Sequence, residues 1–370
     1  MGVPRNTVAG QAGGAIGTRW RPTVAGLSLV VAAGLAVGGC GSSSNSSSST
    51  PGCFSKAVAA AQASAAGGSV SPAAPGSAAT AGGPANPAVA AGWTLPGGNL
   101  QNTRDVASAI NSSNVSKLSP QGKLLWYYQL TPHDLFDWDL QNSPVLTTAH
   151  GQPVVIDGGK AGILIELNAR TGKLLWSLPV GVHNGHDHDG LLTENARPTS
   201  HLPLPARFCL EPGAFGGIES QLATNGTTTF AAVNDLPMPM TPATPGYTEP
   251  STAALLAALA KATGEMVAVN QNTGKIEWAD RLPSSPYGAA AVTNNVVFTT
   301  TYSGDLYAFN AATGAILLKT PLPARTNAPV AIDGDYVITA GSVAQSAGQR
   351  MFIVAYRLGA TGKLPSSAGS

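Results

Sequence analysis

With 370 residues, 20 basic against 19 acidic side chains and a formal net charge of +1, the chain shows no electrostatic footprint for nucleic acid or for an anionic membrane surface. Its length allows two domains, but long stretches rich in Ala, Gly, Ser and Pro say that much less of it folds. Three cysteines do not make a disulfide framework.

From the N-terminus, Arg19, Trp20 and Arg21 precede an apolar run over residues 24–37, and Gly38, Gly39 and Cys40 follow. Basic residues, roughly 15 apolar ones and a small-residue site suit a secretory leader over residues 1–40 better than a spanning helix, which needs about 20. The ending Val37-Gly38-Gly39-Cys40 resembles a bacterial lipobox, which implies lipidation of Cys40 and a mature chain that begins there. An uncleaved anchor is the other reading, and either one puts the body of the protein in an extracytoplasmic location, held to the cell membrane. Residues 41–91, with the run SSSNSSSST, lack the apolar periodicity that offsets the entropy of ordering a chain, so a disordered tether is expected. Cys53 lies within it as an incidental thiol.

From Gly92 onward the pattern changes to short apolar or alternating runs bounded by Gly, Asn, Asp and Pro, the habit of antiparallel strands joined by tight turns. Strands are predicted over residues 124–129, 154–156, 163–167, 228–233, 266–269, 296–302, 306–309, 330–332, 337–340 and 352–356. The one helix expected, over residues 252–262, is an Ala/Leu-rich insertion. Residues 236–250 contain five prolines and read as a rigid rim loop. Cys209 reads as a buried apolar filler.

One phrase recurs through this region. It appears as GKLLW ending at Trp126, as NARTGKLLW ending at Trp176, as NQNTGKIEW ending at Trp278, as NAATGAILL ending at Leu318, and as the echo GATGKL ending at Leu364. Its turn glycines, Gly122, Gly172, Gly274, Gly314 and Gly362, are 50, 102, 40 and 48 residues apart, and the long interval reads as two units. A period of roughly 40–50 residues with four strands is that of a β-propeller blade, which buries its faces only against its neighbours. The Trp at the end of each unit is therefore expected to pack on the next one.

Chemistry-bearing side chains gather in two places. TPHDLFDWD brings His133, Asp134, Asp137 and Asp139 together. Asp137 and Asp139 are two apart, so on a strand both carboxylates face one side and could share a hard cation. His133 and Asp134 read as turn-shaping residues that aim Asp137, or as catalytic helpers. VHNGHDHDG holds His183, His186, His188, Asp187 and Asp189, types that bind zinc, although solvated loop histidines are the plainer reading.

The repeated TGKLLW phrase together with WYYQLTPHDLFDWD resembles the quinoprotein alcohol dehydrogenases, eight-bladed propellers that use pyrroloquinoline quinone (PQQ) and a metal, and still more the PQQ-binding-like repeat lipoproteins of actinobacteria. The resemblance runs from about Gly92 to the C-terminus. It implies an all-β fold, an incomplete propeller of about five four-stranded blades over residues 92–370 behind a disordered N-terminal arm. It further implies that Asp137 matches the catalytic base and metal ligand, that Asp139 matches an extra carboxylate of lanthanide-using members, and that Lys160, in DGGKAGILIELN, matches a basic contact to the quinone. Calcium or a lanthanide is the implied metal, and alcohols or sugars are the implied substrates, with an electron acceptor.

Departures accompany the resemblance. Phe136 stands where the family usually has Trp, and Glu219 and Ser220 stand where many members have Asn-Trp. Only Ser119, Pro120 and Gln121 separate the family's opening segment, residues 92–118, from GKLLWYYQ. The intervening portion would have supplied a metal-binding Glu and Asn, an adjacent-cysteine pair and a Trp floor under the quinone. Two readings follow: an extracytoplasmic PQQ-dependent oxidoreductase impaired by those losses, or a noncatalytic envelope propeller that holds partners. An incomplete ring also exposes strand edges, which a second copy or an accessory chain would cover.

Overall fold

The computed structural model describes residues 124–131, 134–187, 208–242, 247–248 and 251–364. The predicted leader, Cys40, the tether and the stretch up to residue 123 lie outside the described residues, as do His133, His188 and Asp189. Among the described residues no helix is long and apolar enough to cross a membrane.

The first sheet is an antiparallel meander of β1 (Val145–Ala149), β2 (Gln152–Gly158), β3 (Ile163–Asn168) and β4 (Leu174–Pro179), in the order β1-β2-β3-β4. Next come β5 (Phe208–Leu210), β6 (Ala223–Thr224), β7 (Thr228–Asp235), β8 (Met238–Pro242), β9 (Tyr247–Thr248), α1 (Thr252–Leu259), β10 (Thr263–Asn270) and β11 (Lys275–Leu282). Of these, β6, β7, β10 and β11 form the second four-stranded sheet, and β5, β8 and β9 form a small sheet of their own. The third sheet is β12 (Ala291–Thr293), β13 (Val296–Thr301), β14 (Asp305–Asn310) and β15 (Ile316–Pro321). A fourth has three strands, β16 (Ala331–Asp333), β17 (Tyr336–Gly341) and β18 (Phe352–Arg357).

This is the all-β, blade-built architecture expected, and the apolar cores lie between consecutive sheets. Ile156, Leu164, Ile218, Val233 and Val267 pack the first sheet on the second. Phe230, Trp278, Tyr307 and Phe309 pack the second on the third, and Leu306, Leu322, Val330 and Ile332 pack the third on the fourth. A strand in the middle of such a stack is covered on both faces, which is why β7 is buried at all eight positions.

Four local expectations change. The interval from Gly172 to Gly274 contains one four-stranded sheet among the described residues, not two, because β8, β9 and α1 are inserted between the adjacent strands β7 and β10. The proline-rich rim loop is in part β8, whose Met238 and Met240 are buried. Residues 124–129 are not a strand: their backbone pairs with no other strand among the described residues, and Leu125 is 80% exposed. Cys209 is disulfide-bonded, which corrects its reading as an apolar filler.

The repeated phrase is a docking device. Asn168, Asn270 and Asn310 each close a turn in which the glycine N–H of Gly172, Gly274 or Gly314 bonds back to the Asn carbonyl at 2.9 Å. Each Asn Oδ1 also accepts the N–H of the following Thr, at 3.0–3.1 Å. The glycines sit at φ +70°, +61° and +76°, a left-handed conformation open to Gly at little cost. Onto each turn lies an indole from the preceding unit. The Nε1–H of Trp126 donates to Ala169 at 3.0 Å, that of Trp176 to Gln271 at 2.8 Å and that of Trp278 to Ala311 at 2.8 Å. A Cβ on Gly172, Gly274 or Gly314 would meet the indole at 2.6–2.8 Å, so glycine is required twice over.

Replacing Trp278 by Ala should destabilise the fold by about 3–5 kcal/mol, the usual cost of deleting a buried aromatic. Trp278→Phe, which loses the bond to Ala311, should cost less, about 1 kcal/mol beyond the packing change. Urea unfolding of both variants measures this, and a Trp278→Ala protein within about 0.5 kcal/mol of the parent would remove the dock from the structural account.

Candidate functional site

Three segments converge at one end of the first sheet: the loop 134–142 that leads into β1, the turn 158–162 between β2 and β3, and the loop 211–219 that leads into β6. The loop 134–142 is shaped by Asp134. Its Oδ1 accepts the N–H of Phe136 at 2.9 Å and its Oδ2 that of Trp138 at 2.6 Å, and the enclosed Asp137 is held at φ +61°. Burial raises the Asp134 pKa above the ordinary aspartate value, against these two bonds. Phe136 and Trp138 turn inward and meet edge to face at 5.0 Å, with the Trp138 Nε1–H bonded to the Pro212 carbonyl. Asp137 and Asp139 turn outward. They lie on a loop rather than on a strand, yet both reach the same lysine.

The turn 158–162 is built to meet that loop. The Lys160 N–H donates to the Asp139 carbonyl at 3.1 Å, and a Cβ at Gly159 would stand 2.2 Å from the same oxygen. A Cβ at Gly217 would lie 2.2 Å from the Lys160 carbonyl. The two glycines let three backbones come together, and Asn142 ties them by donating to the carbonyls of Gly158 and Ile218 at 3.2 and 2.9 Å.

The result is a charged cluster with Lys160 at its centre. The ammonium donates to Asp137 Oδ2 at 2.7 Å and to Asp139 Oδ2 at 3.0 Å, and it lies over the Phe215 ring at 5.6 Å. The lysine side chain is 7% exposed, whereas those of the two aspartates are 44% and 53% exposed. Burial alone would lower the Lys160 pKa, but the bonds to both carboxylates and the charge of Glu219 outweigh it and raise the pKa above the ordinary lysine value. Glu219 completes the cluster. Gln141 Nε2 donates to its backbone carbonyl at 3.0 Å and also to its Oε2, while its Oε1 is buried without a hydrogen-bond partner. Burial, together with Asp137 and Asp139, pushes the Glu219 carboxyl up to about 7, against the pull of Gln141 and Lys160. Tyr287 closes the inner side by donating its hydroxyl to the Phe215 carbonyl at 2.6 Å.

Asp137, Asp139 and Lys160, named from sequence, are thus brought together. Glu219, Gln141, Phe215 and Tyr287 were not expected in the cluster; the paired glycines Gly216 and Gly217 ahead of Glu219 were the only available signal of a close approach. The histidine group does not form a metal site among the described residues. His183 Nδ1 pairs with Asp187 at 2.7 Å, its Nε2 faces the Val180 and Gly162 carbonyls, and His186 lies 4.1 Å from the Phe208 ring. Among the described residues no group of three or more His, Cys, Asp or Glu is arranged to hold a metal ion.

Comparison with known proteins gives this geometry a lineage. A family model described as the β-propeller domain of glucose/ethanol/alcohol dehydrogenases matches residues 101–210, a span that includes Asp137, Asp139 and Lys160. A second, described as outer membrane protein assembly factor BamB, matches residues 248–359. The chain carries PQQ-type propeller repeats homologous to those of quinoprotein alcohol dehydrogenases. Among individual relatives, a protein named as the dehydrogenase XoxF in Paracoccus denitrificans is 28% identical over 229 residues, which are 55% of this chain and 38% of that protein. The lanthanide-dependent methanol dehydrogenase of Methylorubrum extorquens is 26% identical over 231 residues, again 55% and 38%. A solved quinohemoprotein alcohol dehydrogenase from Pseudomonas putida HK5 superposes with a TM-score of 0.53 at 20% identity, over 67% of this chain and 43% of that one. The chain spans well under half the length of the relatives it matches.

A second acidic group lies where the first and second quinoprotein-type sheets meet. Asp235 Oδ1 accepts the Val182 N–H at 3.0 Å and Glu265 Oε1 that of Gly181 at 2.9 Å. Burial pushes Asp235 up to about 6 and Glu211 up to about 7, and the Asp235 charge adds to the rise at Glu211. The folded chain therefore keeps these protons at a pH where the unfolded chain has released them. Their contribution to stability is complete below about pH 4 and lost as pH rises through 6 to 7. The melting temperature should fall between pH 5 and pH 8, and Asp235→Asn with Glu211→Gln should flatten that fall. A slope unchanged by both substitutions would assign it to other groups.

Proposed function

We propose that this chain is an extracytoplasmic PQQ-repeat propeller, related to the quinoprotein alcohol dehydrogenases, in which dehydrogenase chemistry is impaired. The observation that supports this is the position of the Lys160 ammonium, bonded to both Asp137 and Asp139. A hard cation such as calcium takes six to eight oxygen ligands. Two carboxylates that already share one ammonium, beside a Glu219 carboxyl that burial drives toward its neutral form, do not fit such an ion, and among the described residues no group of three or more His, Cys, Asp or Glu is arranged to hold one. The location outside the cytoplasm rests on the lipobox-like sequence ending at Cys40, and a disulfide at Cys209 agrees with an oxidising compartment.

A second reading, an active oxidoreductase for alcohols or sugars, is favoured by one observation: Asp137, Asp139 and Lys160 meet at a surface where both carboxylates are partly open to solvent. There Asp137 would serve as base, Lys160 would contact the quinone and Asp139 would join the metal shell. Titration of the full chain with PQQ in calcium or lanthanum separates the two, because a ligand that binds only the folded state must raise its melting temperature. The impaired reading expects no metal-dependent rise and no dye-linked alcohol oxidation. A rise that requires the metal and vanishes in Asp137→Ala would establish the oxidoreductase instead.

A further inference from the structure

The loop that leaves β4 is fastened to its surroundings residue by residue. The N–H groups of Gly181 and Val182 bond to the buried carboxylates of Glu265 and Asp235. The Asn184 N–H donates to the Glu211 carbonyl at 3.0 Å, and its Oδ1 accepts the Glu211 N–H at 3.1 Å. Between these ties stands His183, whose ring closes on the turn that carries Lys160. Its Nε2 lies 3.2 Å from the Gly162 carbonyl and 3.0 Å from that of Val180, and a Cβ at Gly162 would stand 3.0 Å from the same nitrogen. The other ring nitrogen, Nδ1, lies 2.7 Å from Asp187 Oδ1.

All three of these partners are acceptors. A neutral imidazole has one N–H donor and one lone pair, so it can serve the carbonyls or the carboxylate but not both. The observed contacts need two donors. The His183–Asp187 pair therefore holds one proton more than a neutral ring beside an ionised aspartate. We infer that this pair is a proton-operated clasp: with the extra proton it fastens the loop 180–187 to Gly162 and so to the Lys160 turn, and loss of that proton releases it. The ring acts through Gly162, which makes His183 a positioning residue for Lys160.

The surrounding charges favour the proton. Asp187 comes from the same loop, Glu211 from the segment after β5, Asp235 from the end of β7 and Glu265 from β10. Against them stands Arg281 of β11, 3.5 Å from Asp235. A positive charge on His183 attracts the Glu211 and Asp235 carboxylates and opposes the rise that burial causes in both. Lys160 sends its ammonium elsewhere, to Asp137 and Asp139, and His186 rests on the Phe208 ring. The sign follows directly: the fastened form binds the extra proton, so the clasp is shut at lower pH and opens as pH rises.

Nuclear magnetic resonance on the full chain tests the clasp without recourse to any activity, so its outcome is separate from that of the proposed function. At about pH 5 both ring nitrogens of His183 should carry protons. Between about pH 5 and about pH 9, two amides report on the turn: Val180, bonded to the Gly162 carbonyl, and Lys160, bonded to the Asp139 carbonyl. After correction for base-catalysed exchange, their protection should fall as pH rises, by at most about tenfold per pH unit for one proton. Asp187→Asn supplies a donor to Nδ1, so a neutral ring can then keep its Nε2–H on the carbonyls. In that variant the clasp should stay shut and the two amides should lose their pH dependence. His183→Phe should leave them weakly protected at every pH, and His150→Gln, at the opposite end of the first sheet, should leave the wild-type slope unchanged. A ring protonated on one nitrogen only at about pH 5 would overturn the inference. So would a slope that persists in Asp187→Asn, which would belong to Glu211 and Asp235 instead.

Discussion

The indole laid on the turn of the next sheet is the interaction on which the rest of this structure depends. A single blade cannot bury its own faces, so the fold exists only as far as consecutive sheets hold one another. Trp126, Trp176 and Trp278 do this by combining ring packing on a glycine with one hydrogen bond to a turn carbonyl. The same turn is fixed independently by its Asn, so the shape of the surface that receives the indole does not depend on the indole alone. Where the phrase weakens, so does the junction: Leu318 takes the Trp position and is 44% exposed, and nothing stands over Gly362. Among the described residues the stack is thus strongest between its first three sheets.

This arrangement positions the charged cluster. Its three contributing segments share one apolar core, in which Phe136, Trp138, Ala161 and Ala214 pack with Leu210, Met238 and Met240 of the small sheet, while Ile218 joins the core between the first and second sheets. The close approaches at Gly159 and Gly217 bring the backbone of one segment against the carbonyl of another, and a substitution at either would move Lys160 relative to both aspartates. Asp134 has a separate part. Its carboxylate replaces the strand partner that the loop lacks, satisfying two N–H groups that would otherwise be unpaired close to buried rings.

The parts of this structure that are legible in the sequence are those set by neighbours along the chain. The Asn-x-x-Thr-Gly turns, the strands rich in Val, Ile and Phe, and a helix near residue 252 all follow from local conformational preference, and α1 begins at Thr252 as expected. The strand predicted at 124–129 has the right composition, but a strand also needs a partner, and composition does not report that. Counting turn glycines misjudges the interval from Gly172 to Gly274, because an insertion between adjacent strands lengthens a repeat without adding one. At the site, the pair Asp137 and Asp139 is visible as a short-range pattern, and Lys160 through family resemblance. Glu219 reaches Gln141 across 78 positions of sequence, and Tyr287 reaches Phe215 across 72, separations at which no periodicity carries information.

The presence of Asp137, Asp139 and Lys160 in one place does not by itself argue for catalysis. A lysine ammonium whose side chain is only 7% exposed needs acceptors to stay charged, and it has two, so that removal of both carboxylates would leave a buried charge without compensation. Once Lys160 is buried on the turn between β2 and β3, two nearby carboxylates are a structural requirement, whatever chemistry the cluster performs. The same argument explains why Glu219 tends toward its neutral form. Burial disfavours its charged form, and the two aspartates add to that against the pull of Gln141 and Lys160, so this third carboxylate keeps its proton more readily than it would in water. The three residues therefore hold the first sheet to its loops, a role independent of any chemistry at the cluster.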